Sequence, residues 1–312
     1  LLSSLFYPEH AARRENVRPP WEATFQWIFQ DYSDESTKWS DFTEWLRSDS
    51  STYWISGKAG SGKSTLMAYI LHEYRLKDNL KIWSHGNDVH VLSFFFWRAG
   101  SIPQKSVSGM LRSLLYQLLE EWPSVADTLA EDFRLASRRI PSWTERSLAN
   151  LLQAALEAAA DQNFCLFIDG LDEFEGDTEE LLDLIFKLQA LRNVKCCLSS
   201  RPEVQLVARL STHKQLRLQD LNFSDICRFV EERITAHSQE YDSSGSRSIA
   251  IDIADKAEGV FLWAALITKS VIQGLQAGDD DDMVRKRVQS TPSEMGALFM
   301  QMLTSIDDVH RD

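Results

Sequence analysis

Gly57-Lys58-Ala59-Gly60-Ser61-Gly62-Lys63-Ser64 fits G-x-x-x-x-G-K-[ST], a spacing that can hold a triphosphate. The glycines let the backbone curl so that successive N–H groups point inward, and the following helix presents its positive end to the same anion. Lys63 is then placed for the β- and γ-phosphate oxygens, Ser64 for magnesium, and Thr65 completes the nucleotide-binding set. A chance glycine-rich turn is disfavoured by its surroundings. Tyr53-Trp-Ile-Ser56 reads as a strand before it, and Leu66, Met67, Ile70 and Tyr74 give a helix an apolar side after it.

A second candidate lies 106 positions beyond Lys63, where Phe164-Cys-Leu-Phe-Ile168 runs into Asp169-Gly170-Leu171-Asp172-Glu173. Five apolar residues ending in acid describe a buried parallel strand whose carboxyl end meets ligand. Asp169 is expected to hold magnesium through water. Glu173 is expected to orient or deprotonate the attacking water, with Asp172 competing for that role. Arg201 follows another apolar run, Val194 to Leu198, and precedes Pro202. A guanidinium there can touch a γ-phosphate, the alternative being an ion pair with a loop carboxylate. Ser199 and Ser200 either bond phosphate or water or cap the strand end.

Together these motifs resemble the NACHT family of signal-transducing ATPases, and within it the nephrocystin-like proteins of filamentous fungi. The resemblance is carried by Asp169-Gly-Leu-Asp-Glu173, Trp54 to Met67, Ser93-Phe-Phe-Phe-Trp97, Cys197-Leu-Ser-Ser-Arg-Pro202, Gly259-Val-Phe-Leu-Trp263 and the upstream Thr24-Phe-Gln-Trp-Ile-Phe29. It implies a nucleotide switch of the NOD-like receptor type that hydrolyses ATP slowly and is tied to fungal non-self recognition or programmed cell death. Arg201 becomes the sensor arginine, and Arg14 to Val17 with Thr52 border the nucleobase. Self-association would pass through this domain, and sensing and effector domains would lie outside the chain. Two features depart from relatives: Gly259-Val260-Phe261 stands where plant members carry glycine-x-proline, and His310 cannot be assigned the role of the winged-helix histidine.

Positioning such residues requires alternating strands and helices. β-rich runs at Tyr53–Ser56, Val91–Trp97, Phe164–Ile168, Val194–Leu198 and Gln215–Leu218 alternate with helical periods, among them Val107 to Leu119 and Leu148 to Leu156. The pattern predicts an α/β fold, a P-loop NTPase parallel sheet sandwiched by helices and followed by a smaller all-helical domain. The expected organisation is an N-terminal helical segment over 1–50, a nucleotide-binding domain over 51–220, and a helical domain over 221–312 that extends to the start of a winged-helix domain. Within the first segment, Trp21, Phe25, Ile28 and Phe29 have the spacing of one helix face, and Phe42, Trp45 and Leu46 predict a second helix. Ser142-Trp-Thr-Glu145 has the spacing of a capping box. Amphipathic stretches at 224–237, 248–273 and 293–306 predict the later helices, with loops at 241–247 and 278–282.

Composition sets the outer limits. The 312 residues are 44% hydrophobic and 25% charged, as in globular chains, and the formal net charge is −13, which argues against a bulk basic surface for nucleic acid. The four cysteines show no Cys-x-x-Cys spacing and sit in apolar runs, as thiols do in a reducing compartment, so a cytoplasmic location is expected. No apolar run approaches the roughly 20 residues of a membrane span, and the chain reads as an internal fragment of a longer protein. The competing functional class is a turnover ATPase or kinase on an unidentified substrate. ATP is favoured, yet GTP remains compatible because the loop reads phosphates and not bases.

Overall fold

The computed structural model describes residues 1–22, 24–30, 39–123, 125–126, 143–237 and 243–304. Its contacts divide the chain into two compact units, one of Leu1–Pro20, Phe25–Gly57 and Lys63–Leu216, the other of Trp21–Thr24, Lys58–Gly62 and Arg217–Asp312.

The first unit is built on a five-stranded sheet of β1 (Thr52–Ser56), β2 (Val89–Phe95), β3 (Asn163–Asp169), β4 (Val194–Ser200) and β5 (Lys214–Arg217). The order is β2-β3-β4-β1-β5, and the β2–β3, β3–β4 and β4–β1 pairings are parallel. After β1 the chain travels to the far edge and works back to β4, beside β1, before crossing to β5. β1 is thus a switch point, where crevices open at the carboxyl ends of strands.

Alternation along the strands divides the core between two faces. Phe164, Leu166 and Ile168 join Leu92, Phe94, Cys196 and Leu198 in a cluster completed by helices Val107–Glu121, Glu145–Ala158 and Thr178–Gln189. Cys197 faces the other way, its Sγ 3.8 Å from Met67 Sδ on helix Lys63–His72. Strands buried on both faces need near-continuous apolar runs, which explains why β3 reads as one and β4 as one broken only by Lys195. Cys165, Cys196 and Cys197 are free and buried, Cys227 free and half-buried.

The second unit holds helices Phe223–His237, Ser243–Ala257, Phe261–Gln276, Asp281–Ser290 and Met295–Thr304. Its core gathers Ile226, Val230, Ile253, Trp263, Ile267 and Val284, and Trp21 stacks edge-on against Phe229 at 5.3 Å. No strand lies beyond Arg217 among the described residues. None of the described helices is long and apolar enough to cross a membrane.

Local expectations are corrected in four places. Phe25 takes φ 64°, a left-handed conformation that stops an α-helix, so only a 3-10 turn forms over Gln26–Phe29. The helix near 145 is capped by Thr144, whose Oγ1 accepts from Ser147 N at 3.2 Å while Ser147 Oγ accepts from Thr144 N at 3.0 Å; Ser142 lies outside the described residues. Residues 243–247, expected as loop, are helical, whereas 241 and 242 are outside the description. The stretch 248–273 is two helices, broken where Glu258 and Gly259 both take positive φ.

Candidate functional site

In the first unit, the carboxyl ends of β1, β3 and β4 converge because the ladder aligns them: Ser56 pairs with Ser200, and Ile168 with Leu198. Gly57 N continues the ladder to Ser200 O at 3.2 Å. Lys63 opens the following helix, with Ser64 and the half-buried Thr65 in its first turn. Lys63 Nζ donates to Gly57 O at 2.9 Å. Burial lowers the Lys63 pKa, and the carboxylates of Asp172 and Asp169 oppose that shift. The amine is therefore buried and flanked by acid, a position that suits it to phosphate.

Asp169 closes β3 and is only 1% exposed. Its Oδ1 accepts from the Ser199 hydroxyl, and Ser199 Oγ in turn accepts from Gly170 N at 3.2 Å. Its Oδ2 is buried with no hydrogen-bond partner. Burial raises the Asp169 pKa, against the hydroxyls of Ser199 and Ser64 and the charge of Lys63. A buried, unpartnered carboxylate oxygen beside a serine hydroxyl is a hard oxygen donor set, and it fits magnesium.

Gly170 then takes φ +74°, and a Cβ there would lie 3.2 Å from Phe96 O. The turn opens a 3-10 segment, Leu171–Glu173, that sends the next two acids to different partners. Asp172, 7% exposed, accepts from Arg201 N at 2.9 Å on Oδ1 and faces Arg201 Nε at 3.1 Å with Oδ2. Glu173 Oε2 accepts from Arg98 N at 3.1 Å, and the Arg98 guanidinium donates to Asp172 O. Arg98 and the ordering role of Ser199 escape sequence reading. The available signal is that Arg98 lies just past β2, whose Phe95 pairs with Asp169.

The nucleobase expectations fare differently. Thr52 starts β1, at the end opposite the phosphate loop, and its hydroxyl bonds Gln189. Arg14 donates to Ser93 Oγ on β2 at 3.0 Å. Neither contact requires a base, and Thr52 is in the wrong place for one.

Within the second unit, Lys58–Gly62 forms the centre of the loop. Gly60 and Gly62 take φ +74° and +101°, values that only glycine adopts freely. Lys58 Nζ pairs with Glu258 at 2.6 Å, and its amide donates to Gln219 Oε1 at 3.2 Å.

A family model described as Nephrocystin 3, N-terminal, matches residues 23–201. The vegetative incompatibility protein HET-E-1 of Podospora anserina is 26% identical over 284 residues, covering 85% of this chain and 20% of that protein. The chain therefore spans about a fifth of that relative's length. Among solved structures, Drosophila ORC bound to DNA aligns at TM-score 0.44 and 12% identity over 96% of this chain and 76% of that one. Cdc6p from Pyrobaculum aerophilum aligns at 0.43 and 13% identity over 77% and 60%.

Proposed function

The chain belongs to the Nephrocystin 3, N-terminal family, and from that premise we propose that it is a nucleotide-controlled switch of the NOD-like receptor type, binding ATP or ADP with magnesium and hydrolysing ATP slowly. The observation that carries this reading is the buried, unpartnered Oδ2 of Asp169 beside Lys63 and Ser64. A carboxylate oxygen buried without its own hydrogen-bond partner carries a cost even with Lys63 and the serine hydroxyls nearby, and a bound cation with its phosphates offsets that cost.

In this reading Gly57 to Ser64 wrap the β-phosphate, Lys63 supplies charge to the β- and γ-oxygens, and Ser64 with Asp169 hold magnesium. The metal, when bound, neutralises charge developing on those oxygens. Glu173 orients a water and takes its proton as the water oxygen bonds to the γ-phosphorus and the bond to the bridging oxygen breaks, releasing ADP and phosphate. Asp172 holds Arg201, which reads the γ-phosphate. ADP then stabilises one state and ATP another, by differential contacts. Following the family resemblance, self-association and effector output in fungal non-self recognition or programmed cell death are the controlled events, in the cytoplasm, with sensing and effector regions elsewhere.

The test is the nucleotide retained on purification, together with steady-state turnover. Tightly held ADP and turnover below roughly 1 s⁻¹ are expected, under the usual enzyme range. Fast turnover with readily released ADP would replace the switch by a turnover ATPase or kinase. Lys63→Ala should abolish most nucleotide affinity in a folded protein.

A further inference from the structure

We propose that Asn222 is a positioning residue that holds the phosphate loop in its binding curl and ties that curl to the Glu258–Leu262 turn; this rests on the nucleotide-binding reading above. Asn222 is fully buried, and its Nδ2 donates to Ser61 O at 2.7 Å and to Gly259 O at 2.9 Å. The amide orientation is dictated by this pair, since a flipped side chain would set its oxygen against two carbonyls. Leu262 N donates to Gly60 O at 3.0 Å, so two consecutive loop carbonyls are taken up by this unit. The peptides are trans, and a planar trans peptide points its C=O and the next N–H in opposite directions. Drawing Ser61 O onto Asn222 therefore aims the Gly62 N–H away from Asn222, as a phosphate-facing donor requires.

The turn on the other side of Asn222 has little freedom. A Cβ at Gly259 would come within 1.9 Å of Gln219 O, and one at Gly60 within 3.0 Å of Leu262 Cβ. Gly60 thus packs the loop against the turn and Gly259 packs the turn against Gln219, while the Asn222 amide bonds loop and turn together. When phosphate orders the loop, the Gly259 and Leu262 contacts tighten with it; when the loop relaxes, they loosen.

Asn222→Asp keeps the shape but replaces the donor with an oxygen. Mg-ADP and Mg-ATP affinities should both fall roughly tenfold or more, the effect of two lost hydrogen bonds and an unfavourable contact. On the wild type, saturating Mg-ADP should slow hydrogen exchange at the Leu262 amide, and this protection should vanish in Asn222→Asp. A folded Asn222→Asp with wild-type affinity would overturn the proposal. So would a wild type in which Mg-ADP binds while Leu262 exchange is unchanged, a result independent of whether the variant folds. Failure of the nucleotide reading itself looks different: the wild type would bind neither nucleotide, and Lys63→Ala would match it.

Discussion

Asp172 is engaged by Arg201 twice, through the backbone N–H at 2.9 Å and the guanidinium Nε at 3.1 Å. An acid whose two oxygens both serve the strand end of β4 is poorly placed to accept a water proton. Its neighbour Glu173 accepts a backbone N–H from Arg98 on one oxygen only, and is the base in the proposed reaction.

Glu173→Gln should therefore retain ATP binding and slow hydrolysis by roughly 10²- to 10⁴-fold, the range for loss of a positioned base. Asp172→Asn should instead reproduce Arg201→Ala, weakening the preference for ATP with ADP affinity nearly unchanged. Single-turnover hydrolysis and paired titrations distinguish them. Hydrolysis lost in Asp172→Asn alone would exchange the two roles.

Ser199→Ala removes the hydroxyl that orients Asp169 Oδ1. Magnesium-dependent affinity should fall roughly 10-fold or more, as for a group that orients a metal ligand, with magnesium-free binding unchanged. Titrations of ADP with and without the metal give the comparison, and Asp169→Asn should show the larger loss.

Lys195, 1% exposed, lies in β4 with its Nζ donating to Trp45 O at 2.7 Å and to Ser48 O, and 4.9 Å from the Trp45 and Trp83 rings. Burial pulls its pKa down from 10.5 to about 8. Between those values the unfolded chain binds the additional proton, so stability rises with pH there; below about 8 both states are protonated and the burial cost is carried in full. The stability difference between wild type and Lys195→Met should shift in favour of wild type from pH 8 to 10.5 in denaturant titrations. A difference independent of pH would show that the ammonium bears no such penalty.

Gly259→Ala should lower stability by about 1–3 kcal/mol or more, since φ +75° disfavours a side chain and the Cβ meets Gln219 O. Thermal unfolding measures it. An unaltered midpoint would mean that the turn yields.

Fold class and family were legible in sequence because their signals are local. A glycine-rich loop between strand and helix, and a strand ending in acid, follow from spacing and apolar period alone. β3 read correctly because two-sided burial leaves an uninterrupted apolar run, and β4 because only Lys195 breaks its run. Pattern reading fell short where one residue overrode periodicity, as with the left-handed Phe25 and the Glu258–Gly259 break.

By itself, then, the order of residues determined the alternating α/β sheet and brought Lys63, Ser64 and Asp169 forward as candidates. Which neighbour each acid meets depended on tertiary structure. Asp172 and Glu173 are chemically alike and adjacent, so nothing local separates them; Arg201 from β4 and Arg98 from beyond β2 do so by geometry. Asn222 has no motif to announce it, because a neutral amide acts only through the carbonyls that long-range packing brings to it, 161 positions back at Ser61 and 37 ahead at Gly259.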